Sequence, residues 1–110
     1  MSSLARENSK QVYYEDYGSG DSAIVLVHGW GTTVRTWDYT LPSLIQAGYR
    51  VVLLDHRGCG QSSKDFVDMS IAAIASDVVA LVSELGLSSV VLNGWSLGGA
   101  VAVAAAAELG

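Results

Sequence analysis

With 110 residues, half of them apolar, and a formal net charge of −5, the chain carries enough apolar material for one buried core and is the size of one domain or part of one. Its six Lys and Arg residues are scattered singly, which argues against nucleic acid and anionic membranes as partners, because both demand clustered cations. A single cysteine, Cys59, forbids an intrachain disulfide, and the first ten residues show no apolar run behind a basic start; both features point to a cytoplasmic protein without a secretory leader.

Residues 3–7 form a weak strand candidate, and an Asn8-Ser9-Lys10 turn separates them from the β-forming stretch Gln11 to Tyr17, so an N-terminal hairpin is expected. After the break at Gly18-Ser19-Gly20-Asp21, Ala23 to Val27 is an uninterrupted apolar run of strand length, the mark of a strand buried on both faces. Leu41, Leu44 and Ile45 predict a short helix within Thr36 to Ala47 in spite of Pro42, with Gly48 as its stop. A second apolar strand follows at Arg50 to Leu54. Ile71, Ile74, Ala75, Val78, Leu81, Val82 and Leu85 then recur at spacings of three and four, which predicts a helix over 70–85 with Ser70 as N-cap and Gly86 as stop. Ser89 to Leu92 is the third core strand. From Ser96 to Leu109 the chain is rich in alanine, and its longest apolar stretch, Gly98 to Ala107, is about half the roughly 20 residues of a membrane span. A helix pressed closely on a flat surface is expected there. The order β-β-β-α-β-α-β-α predicts an α/β fold whose mostly parallel sheet is covered by helices on both faces.

In such sheets ligands bind where the strands end at their carboxyl sides, and the unusual residues sit in the three loops that leave those ends. Gly94-Trp95-Ser96-Leu97-Gly98 is the pattern G-x-S-x-G, which follows an apolar strand and opens a helix. A Cβ at position 94 or 98 would collide across so sharp a turn, and the turn lifts the serine hydroxyl clear of the sheet. Ser96 is therefore the candidate nucleophile. The N–H of Leu97, at the N-terminus of a helix, is one candidate donor to a developing oxyanion, and the N–H of Trp30, between Gly29 and Gly31, is the other.

His28-Gly29-Trp30-Gly31, Asp55-His56-Arg57-Gly58-Cys59-Gly60-Gln61-Ser62 and Gly94-Trp95-Ser96-Leu97-Gly98-Gly99, in that order, resemble the α/β-hydrolase family. The likeness is greatest to its cofactor-free haloperoxidases and related esterases, through His-Gly-Trp, Ala47-Gly48-Tyr49-Arg50-Val51 and Arg57-Gly58-x-Gly-x-Ser. The resemblance covers nearly the whole chain. It implies Ser96 as nucleophile, Trp30 and Leu97 as oxyanion donors, no cofactor, and a small ester or related acyl compound as substrate. It also implies a longer chain, in which a catalytic acid and a histidine follow the nucleophile. After Ser96 this sequence has no histidine and a single acid, Glu108, so residues 1–110 read as the N-terminal portion of one α/β-hydrolase domain, lacking the C-terminal strands. Such a fragment would be inactive by itself and marginally folded, with the Ser89 to Leu92 strand open along one side.

The remaining site candidates are weighed residue by residue. His28, at a strand end before the glycine loop, suits backbone hydrogen bonding better than catalysis. His56 follows Asp55 directly, and adjacent residues leaving a strand face opposite ways, so the two do not form a dyad; Asp55 and Arg57 are expected to pair within their loop. Trp30 and Trp95 flank the serine and are candidates to line an acyl pocket. Cys59 reads as a small loop residue, and no metal-ligand spacing is visible. Ser at 96 disfavours the aspartate-nucleophile chemistry of haloalkane dehalogenases and epoxide hydrolases. Two alternatives to an esterase stand: a cofactor-free perhydrolase or haloperoxidase-like enzyme that uses the same serine, and a non-catalytic interaction fragment.

Overall fold

The computed structural model describes residues 2–6, 10–29 and 31–109. Strands β1 (Ser2–Ala5), β2 (Gln11–Tyr17), β3 (Ser22–Val27), β4 (Val51–Leu54) and β5 (Ser89–Gly94) form one sheet in the order β1-β2-β4-β3-β5. The N-terminal hairpin is present, β1 pairing antiparallel with β2, while its turn at 8–9 lies outside the described residues. β2 runs antiparallel to β4, and β4, β3 and β5 are mutually parallel.

Side chains alternate across the sheet as the period of two demands. Val25, Val27, Val52 and Leu54 face helices α2 (Ile71–Glu84) and α3 (Leu97–Leu109) in the larger core. Leu26, Val51 and Leu53 face the other way, against Val34, Trp37 and Leu41. β4 is buried throughout, as its apolar run requires, but β5 alternates exposed and half-buried positions. The expectation that all three apolar runs are buried on both faces therefore fails for β5, because it is an edge strand with no partner beyond it among the described residues. Apolar grooves of about 430 Å³ (Val90, Leu92, Ala102, Val103) and about 380 Å³ (Ile24, Leu44, Tyr49, Val91) lie on its two faces.

The helix expected around 36–47 differs from expectation, whereas α2 has the expected cap and stop. The single helix over 36–47 is instead a 3-10 turn, Val34–Trp37, and α1, Leu41–Gln46. Thr33 caps the first through Arg35 N–H, and Pro42, which has no N–H to give, sits in the first turn of the second, where none is needed. α2 has Ser70 as N-cap, its hydroxyl accepting from Ala73 N–H, and ends before Gly86 at φ 66°. Among the described residues no helix is long and apolar enough to cross a membrane.

Candidate active site at the carboxyl ends of three strands

Strand register assembles the site. Val27 is level with Leu54 on one side and with Gly94 on the other, so the three loops beginning at His28, Asp55 and Trp95 leave the sheet side by side. β4 and β5 lie on opposite sides of β3, which makes this the point where the winding of the sheet reverses and where open α/β sheets form their crevice.

At the β5 end, Trp95 N–H still bonds the Val27 carbonyl at 3.1 Å, and the chain then turns through Ser96 at φ 58°, the one non-glycine among the described residues with positive φ. Ser96 is therefore the turn residue itself and not the first residue of the helix, which begins at Leu97. A left-handed conformation in a residue with a Cβ is stored strain, held by its surroundings. Here those surroundings are two glycines. A Cβ on Gly94 would lie 2.1 Å from the Gly98 carbonyl oxygen, and one on Gly98 would lie 2.2 Å from the Val27 oxygen and 2.5 Å from the His28 oxygen. The serine is left exposed above the sheet. Gly98 and Gly99 give their N–H groups to the Trp95 and Ser96 carbonyls, both at 2.9 Å. The Leu97 N–H, at the first helical position, has no carbonyl one turn back within the helix.

The β3 loop meets this turn at Gly29, where a Cβ would be 2.9 Å from the Trp95 ring. Trp95 is half exposed, at 52%. Trp30, expected as second oxyanion donor and pocket wall, lies outside the described residues. His28 is fully buried and spends both ring nitrogens on backbone: Nε2 accepts from His56 N–H at 2.9 Å, and Nδ1 donates to the Gly29 carbonyl at 2.8 Å. The first bond requires a bare Nε2 and so assigns the proton to Nδ1. Burial lowers the His28 pKa, in keeping with a neutral ring. His56 stacks on it, ring centroids 3.9 Å apart, and burial together with the His28 ring takes its pKa down to about 3. Its Nε2 has no hydrogen-bond partner among the described residues. Neither ring bonds Ser96, so the loop-shaping role expected of His28 holds.

Asp55 accepts from Val34 N–H at 2.8 Å and Gln61 N–H at 2.9 Å, fixing its own loop to the 3-10 turn. The expected pairing of Asp55 with Arg57 does not occur. Arg57 instead points into the core and grips Asp77 of α2 with two bonds of 2.7 and 2.8 Å, while the Asp55 oxygens are taken by the Val34 and Gln61 N–H groups. Asp77 was legible as an anomaly, since it falls on the apolar stripe between Ile74 and Leu81. Thr32, whose hydroxyl lies 3.1 Å from the Gly29 carbonyl, carried no signal beyond its place in the loop. Cys59 is partly buried, which raises its thiol pKa.

Residues 22–109 match the family model described as the alpha/beta hydrolase fold. The chain belongs to the α/β-hydrolase family. The chain is 37% identical over 99 residues to a non-heme haloperoxidase of Rhodococcus erythropolis, a match over 90% of this chain and 36% of that protein. It superposes on an esterase from Exiguobacterium antarcticum with a TM-score of 0.90 at 30% identity, over 98% of this chain and 40% of the other. A bromoperoxidase from Bacillus anthracis gives 0.85 at 36% identity, over 94% and 38%. The chain thus spans about a third of the length of the curated relatives it matches.

Proposed function

We propose that the complete protein is a serine hydrolase of small carboxylic esters or related acyl compounds, working through an acyl-Ser96 intermediate. The observation that carries this reading is Ser96 at φ 58°, exposed on a strand-to-helix turn that two glycines alone permit. The Ser96 oxygen attacks the acyl carbon, the alcohol leaves, and water hydrolyses the acyl-serine. The N–H groups of Leu97 and Trp30 receive the oxyanion, and Trp30 and Trp95 flank the acyl group. Among the described residues neither histidine ring bonds Ser96, and the reading takes the general base and its acid partner from the longer chain that the family resemblance implies. The 110-residue chain alone is then without turnover, an inactive portion of the enzyme or an interaction fragment.

A second reading has peroxide take the place of water, so that the acyl-serine yields a peracid; the haloperoxidase and bromoperoxidase relatives favour it. Turnover of p-nitrophenyl acetate, with and without peroxide-dependent halogenation, separates the two. Ser96→Ala in the complete protein is expected to abolish both activities, and retention of ester turnover in that variant would overturn the assignment.

A further inference from the structure

The open side of β5 carries a row of peptide groups as well as apolar side chains. Ser89 N–H bonds the Asp21 carbonyl at 3.2 Å, and Trp95 N–H bonds the Val27 carbonyl at 3.1 Å. In a parallel ladder alternate residues turn their N–H and C=O groups the same way. Ser89, Val91, Asn93 and Trp95 therefore face β3, while Val90, Leu92 and Gly94 face the side where β5 has no partner among the described residues. Such a row is a template for one more strand.

Side chains decide which strand fits. From Ser89 to Asn93 the order is polar, three apolar residues, polar, and it reads the same in both directions about Val91. An antiparallel copy of β5 centred on Val91 sets Val91 against Val91, Val90 against Leu92 and Ser89 against Asn93. Each Val90–Leu92 pair then exchanges two N–H···O=C bonds. A shift of one residue opposes edge-facing groups to groups already bonded to β3, and a shift of two opposes Val91 to Asn93. The segment is also uncharged, in a chain of net charge −5, so two copies meet there without like charges face to face.

We propose that two copies of the 110-residue chain join through antiparallel β5 strands in register at Val91, extending the two five-stranded sheets into one. The two-fold axis stands perpendicular to the sheet, so each face continues across it. Paired strands lie about 4.8 Å apart, which brings α3 beside its own copy and covers the groove at Val90, Leu92 and Val103, the last exposed at 73%. The same patch serves both partners, so the assembly closes at two.

The test uses the 110-residue chain. Sedimentation equilibrium is expected to show monomer and dimer only. In a Cys59→Ser background, Val91→Cys is expected to cross-link to itself on mild oxidation, because opposed residues of this kind lie about 4.5 Å apart at Cα, within disulfide reach. Ser89→Cys and Asn93→Cys are each expected to stay single, their own copies being about 13 Å away, and to cross-link with each other when mixed. A monomer at every concentration, species that grow beyond the dimer, or cross-linking of Asn93→Cys to itself each overturns the proposal. None of these outcomes bears on Ser96 as nucleophile.

Discussion

At the scale of single residues, glycine positions that look alike in sequence differ sharply in what a methyl group would meet. Gly94→Ala and Gly98→Ala each drive a Cβ to about 2 Å from backbone oxygen, where nothing can yield without opening the turn, so each is expected to cost about 3 kcal/mol or more. Gly99→Ala is the control, since the nearest atom is 3.8 Å away and the position is helical; it should be neutral or stabilise by up to about 1 kcal/mol. Urea unfolding of the three variants reads the difference directly. His56 supplies a residue-scale prediction of pH dependence. A base whose folded pKa, about 3, lies below its unfolded value of about 6.5 contributes stability that is present above the unfolded pKa and lost as pH falls toward the folded one. Between about pH 7.5 and 5.5 this alone removes about 1.4 kcal/mol. The His56→Gln variant should lose that part of the slope of urea midpoint against pH, and an unaltered slope would count against the buried neutral ring.

At the scale of elements, a buried ion pair joins the β4 loop to α2. Arg57 and Asp77 are almost wholly buried, Arg6 adds a third contact to Asp77 at 2.8 Å, and the Arg57 guanidinium lies 4.1 Å over the Phe66 ring. Asp77→Asn removes the buried carboxylate that both arginines meet, so it should destabilise by about 3 kcal/mol, as measured by chemical unfolding. The other face has a smaller tie: Glu15 accepts from Tyr13, Tyr17 and Arg35, fastening the 3-10 turn to β2. Burial by itself would raise the Glu15 pKa, but those three hydrogen bonds outweigh it and the net shift is downward. Burial, and then the bond to Glu15, pushes the Tyr13 hydroxyl up to about 12.

At the scale of the molecule, the governing feature is the free edge of β5. Its residues Ser89 to Gly94 carry no charge and no proline, two of the devices that protect natural sheet edges, and an apolar groove lies along each face. The 110-residue chain in isolation is therefore expected to self-associate and to show no esterase turnover. Val91, exposed at 63%, is the position to test. Val91→Lys should shift the sedimentation profile toward monomer, and an unchanged profile would place the association elsewhere.

What the sequence determined by itself was everything carried by local chemistry. Apolar runs at 23–27 and 50–54, the spacing of Ile74, Val78 and Leu81, the Ser70 cap and the Gly94-x-Ser96-x-Gly98 pattern each encode their element, because period, capping and steric permission act within a few residues. The split of the 36–47 helix was half legible in Pro42. That Ser89 to Leu92 would lie open along one side was already expected from the family resemblance, and the structure adds how exposed that edge is: β5 pairs with β3 alone among the described residues, and Val91 is left 63% exposed. Tertiary structure alone decided that Arg57 reaches Asp77 across 20 positions in sequence, and that Thr32 and His56 converge on His28 and the Gly29 carbonyl. Those contacts arise from register, which sets Val27, Leu54 and Gly94 in one row, and register is a property of paired strands that no single strand contains.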